Sequence, residues 1–170
     1  GFNWGGYATY KSAHDYSNRL DGRVLNSRFS ERNLGAQIGI NRVRGFSHLS
    51  FSRFQQEPGL IEGDRDDATG KFLLFAGSPL ERIATNADLR GRKPWIPNQQ
   101  VIHDRLVSDN QWTVGGSQLK ANLAWQRNQR IEFGNPEDPE EKELYFDLNT
   151  LNYTLHWKLP TMKEWHTTIG

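Results

Sequence analysis

From Gln118 to Phe133 the chain changes character at every second residue. Leu119, Ala121, Leu123 and Trp125 fall on one side, while Lys120, Asn122, Gln126, Asn128, Arg130 and Glu132 fall on the other. A two-residue period is the signature of a pleated strand with one apolar and one wet face. A helical reading scatters the same apolar residues among charges and finds no cap, so the window reads as a strand. At this length it exceeds the usual strand of about five or six residues.

The same design recurs. Leu34, Ala36, Ile38 and Ile40 alternate with Gly35, Gln37, Gly39 and Asn41, and Leu49 and Phe51 alternate with His48, Ser50 and Ser52. Arg42–Gly45 is the turn between them. Leu151, Tyr153, Leu155, Trp157 and Leu159 alternate with Asn152, Thr154, His156 and Lys158 until Pro160, which has no N–H for a ladder, ends the run. Upstream, Leu144, Phe146 and Leu148 have the opposite parity. Two readings stay open: a bulge near Asn149-Thr150, or an upper strand that has left the apolar medium and no longer obeys the same alternation.

Connector lengths supply the topology. Short turns at Arg42–Gly45, Val114–Ser117 and Pro160–Glu164 alternate with long polar stretches at Tyr16–Arg32, Glu57–Asn98 and Gly134–Glu143, so short and long ends fall on opposite sides of the sheet. Trp112, Trp157 and Trp165 lie beside the short turns, and Tyr10, Phe133 and Tyr145 toward the other end. The expected fold is all-β: an antiparallel up-and-down meander of about six to seven strands, forming part of a transmembrane β-barrel.

Composition narrows the function classes. The 21 basic and 20 acidic side chains nearly cancel, leaving a formal charge of +1 and no general field for nucleic acid. No apolar run approaches the roughly 18 residues of a membrane helix. With no cysteine, disulfides, thiolate metal sites and cysteine nucleophiles are excluded. His14, His48, His103, His156 and His166 are scattered, and Asp64, Asp66, Asp67 and Gly70 depart from a calcium loop in the place of the glycine and the missing bidentate Glu. No GxSxG, HExxH or phosphate-binding loop is present. No catalytic residue, metal ligand or cofactor is assigned, and the chain is not expected to be an enzyme.

Two groups of side chains are candidates for contact with a partner. Within the long stretch Glu57–Asn98, Arg90, Arg92, Lys93 and Trp95 put three cations beside an aromatic ring, a combination that can hold an anionic chelate by charge and stacking. The polar ladder Gln126, Asn128, Arg130 and Glu132 either lines an enclosed lumen and touches cargo, or is a structural row of hydrogen bonds and ion pairs. If Gly134–Glu143 closes a hairpin, Arg130 and Asp147 should meet across the strands.

Several segments resemble the barrel domain of a TonB-dependent outer-membrane receptor. They are Asn26-Ser27-Arg28-Phe29 with Glu31-Arg32-Asn33, the Gly59–Gly63 stretch leading to Asp66 and Gly70, Gln126–Phe133, and Leu148–Tyr153 before Thr167-Thr168-Ile169-Gly170. The resemblance implies that residues 1–170 are a partial barrel domain, a fragment lacking its plug and the remaining strands of a barrel of about 22 strands. It implies a Gram-negative outer membrane, energy from the TonB complex acting through the plug, contact with membrane lipid, and import of a scarce nutrient with a ferric siderophore as the leading cargo. Two rivals remain: a soluble β-sandwich serving as a carbohydrate-binding or adhesion module, and an outer-membrane barrel hydrolase, for which no Ser/His constellation is found.

Overall fold

The structure is a computed structural model that describes residues 1–160 and 165–170. In chain order the strands are β1 (Phe2–Ala13), β2 (Ser17–Asn18), β3 (Gly22–Arg23), β4 (Phe29–Arg42), β5 (Gly45–Pro58), β6 (Leu73–Leu74), β7 (Arg82–Ile83), β8 (Asn98–Val114), β9 (Ser117–Phe133), β10 (Leu144–Lys158) and β11 (Thr168–Ile169). A 3-10 turn covers Asp88–Arg90. The alternating runs are the long strands, as their period requires.

Seven strands form one antiparallel sheet in the order β1-β4-β5-β8-β9-β10-β11, a meander in which sequence neighbours are also spatial neighbours. The remaining pairs, β2 with β3 and β6 with β7, are two-stranded ribbons inside the long connectors. Val43 and Arg44 turn β4 into β5, and Gly115 and Gly116 turn β8 into β9. Both glycines have positive φ, 57° and 81°, as a two-residue hairpin loop with the twist of the flanking strands demands. The expected turn at Pro160–Glu164 falls largely on residues 161–164, outside the described residues.

The all-β antiparallel meander of seven strands is what the structure shows, but the barrel reading is corrected. Closure needs the first strand to pair with the last. Instead β1 pairs β4 alone, and β11 pairs β10 through Trp157↔Ile169 and Lys158↔Thr168. The sheet is open. No helix among the described residues is long and apolar enough to cross a membrane.

Register fixes the two faces. Leu106↔Trp125↔Leu151 and Ser108↔Leu123↔Tyr153 stand on one face with Ile38, Leu49 and Phe51. Leu119, Leu123, Leu155 and Trp157 remain exposed at 38%, 50%, 56% and 46%, so no second layer of described residues covers them. The second sheet of a sandwich is therefore not seen; what that alternative retains is a β-domain presenting loops at one end.

Two local expectations are settled by the pairing. It runs unbroken from Leu144↔Glu132 to Lys158↔Gln118, so there is no bulge at Asn149-Thr150. Leu144, Phe146 and Leu148 consequently stand on the polar face, where Phe146 and Leu148 are exposed. The same register corrects the Arg130–Asp147 pair. Phe146 lies opposite Arg130, while Asp147 lies opposite Gln129 and takes Arg127 as its partner at 2.6 Å. One residue of register puts Arg130 and Asp147 on opposite faces.

Apart from Ile131 on β9, the buried apolar residues lie in the loops. Val24, Leu25, Phe72, Leu74 and Ala84 pack together, with Phe75, Leu89 and Trp95 against them. Tyr16–Arg32 and Glu57–Asn98, read as long polar stretches, thus interlock into a cap with its own hydrophobic centre at one end of the sheet.

Candidate functional site

The cap is tied together by three buried polar residues, Asp15, Asn26 and Arg28. Arg28, 1% exposed, donates from its backbone N and from Nε to Asp15 Oδ1 at 3.0 and 2.9 Å, and from Nη2 to Asp15 Oδ2. Its guanidinium continues across to the second loop, donating from Nη2 to the Asp88 carbonyl and from Nη1 to the Lys93 carbonyl at 3.2 Å. Arg28 therefore satisfies a buried carboxylate and two carbonyls at once, which is the condition under which a charge tolerates burial. Gly91 is part of this arrangement, since a Cβ there would lie 2.4 Å from Arg28 Nη1. Asn26, also buried, accepts from the Trp95 N–H through Oδ1 at 2.9 Å.

A second cluster shapes the same loop. Arg82 donates to both oxygens of Asp88 at 2.7 and 2.8 Å, and the Thr85 N–H and Oγ1 donate to Oδ2 at 2.8 and 2.7 Å. The hydrogen bonds from Arg82, followed by those from Thr85, hold the Asp88 carboxyl far below the usual carboxylate range. The Trp95 ring stands edge-on to Phe75 with centroids 5.9 Å apart, and its Nε1 donates to the Asp88 carbonyl at 3.4 Å.

Between this cap segment and the Gly134–Glu143 loop opens a cleft of about 580 Å³. Its walls are apolar where Phe75, Trp95, Ile96 and Phe133 meet it, and polar at Glu57, Arg92, Lys93, Asn98 and Gln100. That size lies inside the range of small-ligand sites, roughly 300–1,000 Å³. Another concavity, of about 390 Å³, lies mid-sheet over Gly5, Gly35, Ser50 and Arg105, with Tyr7, Phe51 and Val107 also lining it.

The structure brings Arg92, Lys93 and Trp95 together at the cleft, whereas Arg90 is exposed and does not line it. Arg92 is anchored to the end of β1, donating to the Ser12 carbonyl at 3.0 Å. Lys93 Nζ has no partner among the described residues. The ladder residues share the polar face of β9 and are knitted into it. His103 meets Gln126 at 3.3 Å, Arg130 donates to Glu132 at 2.7 Å, and Gln99 donates to the same carboxylate at 2.7 Å. Asn128 stands opposite His103 and Leu148. Asp66 serves its own turn, accepting from Thr69 N and Oγ1 at 2.8 and 2.6 Å.

The sequence reading assigned no chemical role to Asp15, Asn26 and Arg28. The available signal was Asn26 followed by Arg28 in a polar stretch, since Asn is among the few residues that enter the left-handed region, where φ is 60° here.

In comparison with known proteins, no family model, no curated protein and no solved structure matches this chain. The resemblance to a TonB-dependent receptor is corrected accordingly, together with the siderophore import and outer-membrane location that rested on it. The quoted segments have local structural roles instead: Asn26 and Arg28 tie the cap, and Gly59 lies against Asn26. The fold defines an all-β chain built on an open antiparallel sheet, with a capped cleft at one end.

Proposed function

We propose that this chain is a non-catalytic binding module that takes an oligosaccharide into the cleft between the cap and the Gly134–Glu143 loop. The observation that carries the reading is a half-buried tryptophan, Trp95, facing a cleft whose rim bears Arg92 and Lys93, the latter without a side-chain partner among the described residues. Aromatic rings offer an apolar face to the C–H side of a sugar, while Asn98, Gln100 and Glu57 offer donors and acceptors to its hydroxyls. The two exposed cations favour sugars that carry a carboxylate. Ligand-binding loops on a rigid sheet are a common division of labour, with the strands setting the position and the loops the chemistry.

Calorimetric titration with cellotetraose, chitotetraose and tetragalacturonate tests the reading. Tetragalacturonate should bind best, and Trp95→Ala should weaken it about tenfold or more, as loss of an aromatic anchor does. Failure of all three sugars to bind, or equal binding by Trp95→Ala, would refute it.

A further inference from the structure

Asn26 does not line the cleft, yet one side chain grips the backbone of the cleft's aromatic residue on both sides. Its Oδ1 accepts from the Trp95 N–H at 2.9 Å. Its Nδ2 faces three carbonyls, those of Trp95 at 3.2 Å, Pro97 at 2.6 Å and Leu60 at 2.9 Å. An amide has two N–H groups, so at least one of them is shared between acceptors. The effect is to stitch the segment entering β8 to the segment leaving β5 through a residue that belongs to neither.

The surroundings are shaped for that grip. Asn26 is 4% exposed, so water does not compete for its bonds. A Cβ at Gly59 would stand 2.3 Å from both the carbonyl oxygen and Oδ1 of Asn26, so the close approach of these chains needs glycine there. Gly59 also donates to the Arg28 carbonyl at 2.9 Å and bridges Asn98 at the start of β8.

We propose that Asn26 is a positioning residue for the cleft: by clamping the Trp95 N–H and C=O it sets the ring against Phe75 and keeps the binding face open. The inference rests on the reading that the cleft takes an oligosaccharide. It goes further in making loop 14–28 a determinant of affinity through a residue that does not touch the ligand.

The test uses the full chain with Asn26→Gly, which tolerates the positive φ and removes every side-chain bond, and Asn26→Asp, which keeps an acceptor for the Trp95 N–H and loses the donors. Amide exchange, tetragalacturonate titration and the global unfolding midpoint are read together. In Asn26→Gly, exchange at Trp95 should rise about tenfold or more, as expected when a buried hydrogen bond is lost, with β8 and β9 unchanged. Affinity should fall by a similar factor, and Asn26→Asp should lose at least as much, because its second carboxylate oxygen would face the three carbonyls to which Nδ2 now donates. Unchanged exchange at Trp95, or a rise spread evenly through β8 and β9 with affinity per folded molecule unaltered, would overturn the proposal. If the exchange pattern appears as expected while tetragalacturonate binds neither wild type nor variant, the positioning of Trp95 stands and it is the ligand reading that falls.

Discussion

Replacing Arg28 with Ala breaks the buried ion pair of the cap. The guanidinium is 1% exposed and its partner carboxylate, on Asp15, is fully enclosed. The change leaves that carboxylate without its counter-charge and takes the donor from the carbonyls of Asp88 and Lys93. Removing one member of a buried pair costs about 3–5 kcal/mol, against about 0–1 kcal/mol for an exposed one. The Arg28 geometry belongs to the first class, so a loss of about 3–5 kcal/mol is expected in the cap. Urea unfolding combined with amide exchange measures it. The useful reporters are Val24, whose N–H donates to the Tyr16 carbonyl at 2.9 Å, and Ala84, whose N–H donates to Phe72 at 2.8 Å. The double change Asp15→Ala/Arg28→Ala should cost less than the sum of the single changes, because it leaves no orphaned charge. A loss below about 1 kcal/mol for Arg28→Ala would show that the pair behaves as a solvated one, and the reasoning would be wrong.

Further outcomes follow from the same geometry. The Asp147 carboxyl is held down to about 2, first by its hydrogen bond from Arg127 and then by Tyr145. Because its value is lowered on folding, its contribution is complete above the ordinary 3.8 and is lost as pH falls through about 2. An NMR titration of Asp147 should show this, and Arg127→Ala should return the midpoint toward 3.8; a wild-type midpoint already there would contradict the assignment. Gly59→Ala should push Asn26 aside, at a cost of about 1–3 kcal/mol by overpacking, and raise exchange at Trp95; a variant with wild-type stability and exchange would show that the close approach is not tight.

The sheet was legible because its information is local. Leu119 to Glu132 alternate within one strand, and the short turns at Arg42–Gly45 and Val114–Ser117 specify hairpins without help from distant residues. What could not be read depends on register or on long-range meeting. Asp147 and Arg127 are found as partners only when pairing is known to run without a bulge, since a shift by one residue exchanges faces. The cap core has no period: Leu25, Phe72, Leu74 and Ala84 come from two connectors that look polar when taken separately. The cleft was partly legible, through Arg92, Lys93 and Trp95 as neighbours in sequence, while Asn26 lies 69 residues from Trp95. The family resemblance misled because it rested on short segments, in which residues such as Asn26 and Arg28 have local packing roles.

The interlocked cap also closes loops of very different length. Asp15 and Arg28 are 13 residues apart and can meet as soon as their own loop has formed, whereas Asn26 must wait for Trp95 and Pro97, 69 and 71 residues further on. The β4–β5 hairpin brings the two connectors to the same end of the sheet. The clamp therefore closes a far longer loop than the ion pair does, and its hydrogen bonds must offset the larger loop-closure entropy.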